Sequence, residues 1–249
     1  MVKKYFMFFL FSLLSVIYIG CATTPSSQQE AVTSEEIVKY VANFDYTPAS
    51  QAAPNSAGIT FAVGKTTYKS DTKVPWIAFP QFDNLDKTIE QDLSKLLTAK
   101  GFSVRGPFDS YDLIPFSDKQ AVDLYLSPTM ELSVILEDQR IDTVIESNFA
   151  LLYATANVKI RGKINLELRE IVTRELMWTK NIPLTKFEFP YRARTYPGHP
   201  SYDYKIIMND VAKGIEQQYP NLMTAIYKSL APKEMRIIKK QCQELKNKK

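Results

Sequence analysis

From Val158 to Leu168 the chain alternates without a break. Val158, Ile160, Ile164, Leu166 and Leu168, with Gly162 in phase, point one way. Lys159, Arg161, Lys163, Asn165, Glu167 and Arg169 point the other. A period of two at this length makes a long strand with one face in a core and one face in water. A half-wet strand belongs in an antiparallel neighbourhood, because sheets of parallel strands are covered on both faces. The segments around it fit. Val122, Leu124 and Leu126 alternate, as do Met130, Leu132, Val134 and Leu136. After a turn over 170–175, the stretch 176–189 returns with its apolar phase shifted past Pro183, the mark of a bulge or an edge.

Helical spacing appears in two places. Leu85, Ile89, Leu93, Leu96 and Leu97 form one apolar stripe. Asp83 or Asn84 can cap its start, and Gly101 stands where a helix end takes a left-handed residue. With strands expected at 74–79 and 102–105, this predicts a strand–helix–strand unit. A further strand is expected at 59–63, and the hydrophilic stretch 65–73 reads as a loop. Ile207, Val211, Ile215, Leu222, Ile226 and Leu230 predict a second helix, bent or broken at Pro220. Pro232 opens a last, basic helix, in which Met235, Ile238, Cys242 and Leu245 form a short seam against another helix and a route to a homo-oligomer. The expected fold class is α+β: a mixed, mostly antiparallel sheet with a long hairpin, packed by the helix at about 85–100 and by C-terminal helices.

The N-terminus carries an address. Lys3 and Lys4 precede an almost wholly apolar run over 5–19, then Gly20 and Cys21. The run has the length of a signal-peptide core and falls short of the roughly 20 residues that span a bilayer. The junction Ile19-Gly20-Cys21 resembles the bacterial lipobox, which implies cleavage before Cys21 and lipid, including palmitate, on that cysteine. Residues 22–29 are Ala, Thr, Pro, Ser and Gln, suited to a tether. Ala22, where an Asp would retain such a protein in the inner membrane, favours the outer membrane by the same resemblance. Loss of Lys3 and Lys4 lowers the formal charge from +4 to +2. With Cys21 consumed by lipid, Cys242 has no partner, so the fold rests on its core and not on a disulfide framework. The expected organisation is a signal peptide at 1–20, a lipidated cysteine with tether and lead-in at 21–57, an α+β domain at 58–230 and a basic helix at 231–249.

The chemistry points to binding and away from catalysis. His199 is the only histidine, there is no Gly-x-Ser-x-Gly elbow and no phosphate-cradling glycine loop, and no acid pair stands out as a matched acid and base. No enzyme activity, catalytic residue, metal or cofactor is expected, apart from the covalent lipid. The basic C-terminus suits a solvated helix face or anionic lipid; export disfavours nucleic acid. The segment 191–204 reads as an aromatic loop in which Tyr191, Arg192, Arg194, Tyr196 and Tyr202 mix flat rings with cationic forks. Such residues suit recognition of a host glycan or protein. The competing role for the rings is to pin a long connection to the body.

Tyr46-x-Pro48-Ala49-Ser50, Phe79-Pro80-Gln81-Phe82-Asp83-Asn84, Lys100-Gly101-Phe102-Ser103-Val104 and the terminal Glu244-Leu245-Lys246, in that order and spacing, resemble the neuraminyllactose-binding hemagglutinin lipoproteins of gastric bacteria, also described as flagellar-sheath adhesins. The resemblance implies a paralogue of that family: an outer-membrane lipoprotein, at the cell surface or flagellar sheath, that binds sialylated glycans. The segment proposed for glycan binding corresponds to 138–143, where Arg140 keeps the cation while Asp138 and Asp142 flank it; acids beside the cation disfavour a carboxylate ligand. The order of elements also looks like periplasmic domains that assist secretion or wall-synthesis machines. That leaves a second expectation, a periplasm-facing assembly lipoprotein with a protein partner and no glycan.

Overall fold

The long alternating run is one strand, β5 (Phe149–Glu170), and its antiparallel partner β4 (Leu124–Glu146) is as long. This is the computed structural model of the chain, and it describes residues 40–70, 75–146, 149–196 and 202–247. The apolar N-terminal run, Cys21, its tether and His199 lie outside the described residues. The described residues belong to a single unit.

The sheet is mixed. β1 (Thr60–Gly64) runs parallel to β3 (Ser103–Phe108) on one side and to the start of β4 on the other, and β2 (Thr67–Ser70) runs parallel to β4 at Thr129–Leu132. Beyond β5 the pairing is antiparallel, with β6 (Leu176–Pro183) along the proximal half of β5 and β7 (Phe187–Thr195) along its distal half. The phase shift after Pro183 therefore marks two strands sharing one neighbour.

α1 (Leu85–Ala99), α3 (Tyr204–Ser229) and α4 (Pro232–Asn247) pack on one face of the sheet. The predicted stripe on α1 is fully buried, and Gly101 takes φ +82° just past its end. Asn84 is the residue at the helix start, although its side chain makes no capping bond. On the opposite face, the excursion that includes α2 (Phe116–Ala121) closes a small second core of Ala62, Ile114, Val122, Tyr125 and Ile171. The lead-in is extended against the body: Ala42, Phe44 and Tyr46 are buried, and the Phe44 ring meets Tyr219 at 5.4 Å.

Several local expectations are corrected. The strand expected at 74–79 is replaced, where described, by short 3-10 turns at Trp76–Ala78 and Pro80–Phe82; the parallel strand–helix–strand unit is β1–α1–β3. Trp76 and Phe82 are 1% exposed and meet edge-on at 5.2 Å, so Trp76, which the sequence placed in a strand, plugs the core from a turn. Within the expected loop 65–73 lies β2, held by its ladder to β4 in spite of a polar sequence. Pro220 does not end α3. The proline is exposed while Tyr219, Leu222 and Met223 beside it are buried, and that burial outweighs the loss of one helical hydrogen bond. The seam on α4 is occupied within the chain: Met235, Ile238 and Cys242 are at most 5% exposed in the main core, which removes that stripe as an oligomer contact.

Candidate functional site

The hairpin β4–β5 outruns its helices. Along its proximal half one face is core; along its distal half, joined by β7, the other face looks outward. Cross-strand register decides what that outer face carries. Arg140, Thr155 and Arg192 lie in one row across β4, β5 and β7, and Asp142, Tyr153 and Arg194 lie in the next. Opposed residues in a sheet share a face, so Arg140, distant in sequence, joins Arg192 and Arg194 on the face that carries one ring.

The row is wired by contacts. Arg140 Nε sits 3.2 Å from Asp142 Oδ1, and Thr155 Oγ1 donates to Asp142 Oδ2 at 3.2 Å. The Arg192 guanidinium stacks on Tyr153, 4.3 Å from the ring centroid. Arg192 and Arg194 are exposed, and among the described residues neither is ion-paired. Below them, Lys159 is taken up by Glu137 at 2.7 Å, a contact that raises its pKa. The electrostatic result is graded: neutralised charge at the base, the Arg140–Asp142 pair above it, and two unneutralised guanidinium groups on β7 beside Tyr153. Planar forks beside a flat ring suit a carboxylate carried on an apolar or sugar framework.

Above this row the hairpin turns apolar. Ile145 is 80% exposed and Phe149 72%.

The predicted ligand residues thus divide. Arg192, Arg194 and Arg140 share the outer face, and Tyr196 follows β7, well exposed. Tyr191 is corrected, and Tyr202 is half-buried with its hydroxyl engaged. The segment from Tyr191 to Thr195 is strand and not loop, and Tyr191 falls on the core side, 4% exposed. Its hydroxyl accepts the Asp203 amide at 2.9 Å, its ring meets Tyr202 at 5.8 Å, and Tyr202 donates to the Thr155 carbonyl at 3.3 Å. These two rings pin the entry of α3 to the sheet; Tyr191 is buried there and Tyr202 is half-buried. Tyr153 and Thr155 went unrecognised in the sequence. Extending the alternation backward from Val158 places Phe149, Leu151, Tyr153 and Thr155 on the wet face, which was the available signal.

Elsewhere, a cleft of about 720 Å³ opens between the lead-in and α1, lined among others by Tyr46, Pro48, Gln91, Ser94 and Lys95. Lys95 is tied to Asp92 at 2.8 Å, which leaves the cleft without a converging charged group. Among the described residues, no three His, Cys, Asp or Glu side chains gather as a metal site, and no helix is long and apolar enough to cross a membrane.

No protein-family model matches the chain, and no curated protein sequence does. Among solved structures, the chain is similar to a protein of Helicobacter pylori described as a neuraminyllactose-binding hemagglutinin homologue. The two are 18% identical, the match covers 82% of this chain and 99% of that one, and the TM-score is 0.57. A Xanthomonas campestris protein of the DUF330 family is 14% identical over 79% of this chain and 97% of its own, with a TM-score of 0.35. A lipoprotein of Neisseria meningitidis is 13% identical over 64% and 96%, with a TM-score of 0.22. The first of these establishes a shared fold; scores as low as the other two do not.

Proposed function

We propose that this chain is a non-catalytic outer-membrane lipoprotein, anchored by lipid on Cys21, that presents the outer face of β4, β5 and β7 as an adhesin-like contact for an acidic host ligand. The observation that carries the proposal is the register on β7 that sets Arg194 opposite Tyr153 and Arg192 in the adjacent row, with the Arg192 guanidinium over the Tyr153 ring. The lipobox-like end of the apolar run supports the anchor, and the family resemblance supports a surface or flagellar-sheath address. Within this site Arg192 and Arg194 hold the ligand's carboxylate and Tyr153 supports its body. Arg140, committed to Asp142, contributes orientation only. A sialylated glycan and an acidic protein patch both offer the required group.

Two experiments test the proposal. A glycan array probed with the protein, beside an Arg192→Ala/Arg194→Ala variant, should show binding to carboxylate-bearing sugars that the variant loses. Protease added to intact cells should cut the domain, and Cys21→Ala should abolish palmitate incorporation. A domain protected until lysis sinks the adhesin role.

The apolar hairpin end favours a second function: a periplasm-facing assembly lipoprotein whose partner is a protein that covers Ile145 and Phe149. Protection from protease together with loss of a co-purifying partner in Phe149→Ser would favour it.

A further inference from the structure

β4 has an open edge. From Arg140 to Glu146 it pairs with β5 on one side, and among the described residues no strand pairs with it on the other. Open edges are templates for another strand, and proteins usually blunt them with bulges, prolines or inward charges. Here a bulge at 138–139, with Asp138 at φ +54°, blunts the edge only below Arg140. Beyond it the sequence Ile141-Asp142-Thr143-Val144-Ile145 is β-branched at four of five positions and contains no proline. Ile141 and Ile145 on the inward face are 40% and 80% exposed.

We propose that this edge pairs antiparallel with the same edge of a second copy, about a two-fold axis at Thr143. Among the registers that pair at least five of residues 140–146, which centre on 142, 143 or 144, symmetry and charge select one. A two-fold that runs two edge strands antiparallel stands normal to the sheet, and opposed side chains share a face, so opposed positions differ by an even number. Centring on Asp142 sets two Asp142 carboxylates against each other. Centring on Val144 sets Asp142 against the second copy's Glu146, twice. Like charges directly opposed are destabilising. Centring on Thr143 opposes Ile141 with Ile145 on one face, Thr143 with itself at the axis, and Arg140 with Glu146 on the other face, each unlike pair occurring twice. Of the three registers only this one is free of like-charge opposition. It would continue the sheet from β7 and β5 of one copy through both β4 strands to the other copy. The pairing goes beyond the ligand proposal and does not depend on it, because Arg192 and Arg194 lie on β7, on the far side of β5.

Cysteine cross-linking on the full chain in membranes tests the register. Thr143→Cys should form a disulfide-linked dimer under mild oxidant. Asp142→Cys and Val144→Cys should cross-link with each other when co-expressed, and each far less with itself. Sedimentation of the detergent-extracted chain at roughly 10–100 μM should show a dimer, as expected of a small interface. Arg140→Glu, which opposes Glu with Glu at both ends, should weaken it roughly tenfold or more, and the swap Arg140→Glu/Glu146→Arg should restore it. A monomer throughout that range, self-cross-linking of Asp142→Cys in preference to the mixed pair, or a dimer indifferent to both charge variants would overturn the proposal.

Discussion

Tyr219 of α3 donates its hydroxyl to Asp92 of α1 across 2.9 Å, and each side chain is 1% exposed. Asp92 also accepts from Lys95 at 2.8 Å, so a carboxylate buried between two helices has both its oxygens engaged. Burial first, then the Asp92 charge, pushes the Tyr219 phenol far above its ordinary pKa, which keeps it a donor. Tyr219→Phe should therefore cost about 1.5–3 kcal/mol, the usual loss for a bond to a charged group. A lowered urea midpoint at unchanged slope would show it. A midpoint equal to wild type would show that the bond contributes nothing.

Glu170 gives the fold a pH dependence. It is fully buried where β5 enters its turn. One oxygen accepts the Val172 amide at 2.8 Å and the Thr173 amide, and the other faces Lys246 of α4 at 3.2 Å. Burial pushes its pKa up, but the two amides and Lys246 outweigh burial and leave it below the ordinary value. A folded pKa below the unfolded one contributes stability that is complete above about pH 4.5 and is lost as pH falls through the folded value. Glu170→Gln should lose about 1.5–3 kcal/mol at pH 7, and the gap to wild type should narrow below about pH 4.5. Urea unfolding at a series of pH values measures that gap; one that is constant with pH would remove Glu170 as the cause.

Cys242 should be chemically quiet. It is 2% exposed on α4, and burial, with the Glu170 charge adding to it, pushes its thiol up to about 11. Ellman's reagent at pH 8 should leave it unmodified in the folded protein and titrate it fully in guanidinium. Fast labelling of the native chain would mean that the α4 seam opens.

Ligand binding should separate the arginines. Loss of Arg192 or Arg194 should each weaken binding of a carboxylate ligand about 10- to 100-fold, the equivalent of one charge-assisted bond. Arg140→Ala should have a smaller effect, because Asp142 already holds that guanidinium. Titration calorimetry on the three variants ranks them, and Arg140 ranking first would relocate the site.

Gly214 of α3 packs against Phe187 of β7. A methyl group there would meet the Phe187 ring at 2.2 Å. Gly214→Ala gains helix propensity of about 1 kcal/mol, yet the clash should leave it a net 1–2 kcal/mol less stable. Thermal melts should show a lower Tm, and Gly214→Ala/Phe187→Leu should recover part of it.

What could be read in the chain follows from the range of the forces involved. The α1 stripe and Gly101 are local patterns, and the structure keeps both. The alternation at Val158–Leu168 also held, because a one-residue slip would turn its whole apolar set into water. Local patterns misled where tertiary burial overrode them. Trp76 looked like a strand residue and plugs the core from a 3-10 turn; Pro220 looked like a bend or break and sits inside α3.

The candidate site lies at the far end of that scale. Arg192, Arg194 and Tyr191 are near neighbours in sequence and look equally available. Only the pairing of β7 on β5 sends the arginines to water beside Tyr153 and Tyr191 into the core. By itself the sequence determined which segments are periodic, the α+β class and the lipobox-like end of the apolar run. The tertiary structure alone decided which strands meet and in what register. Periodicity is set by neighbours a few residues apart, whereas register depends on partners up to forty or more residues away, whose face is chosen only when the core closes.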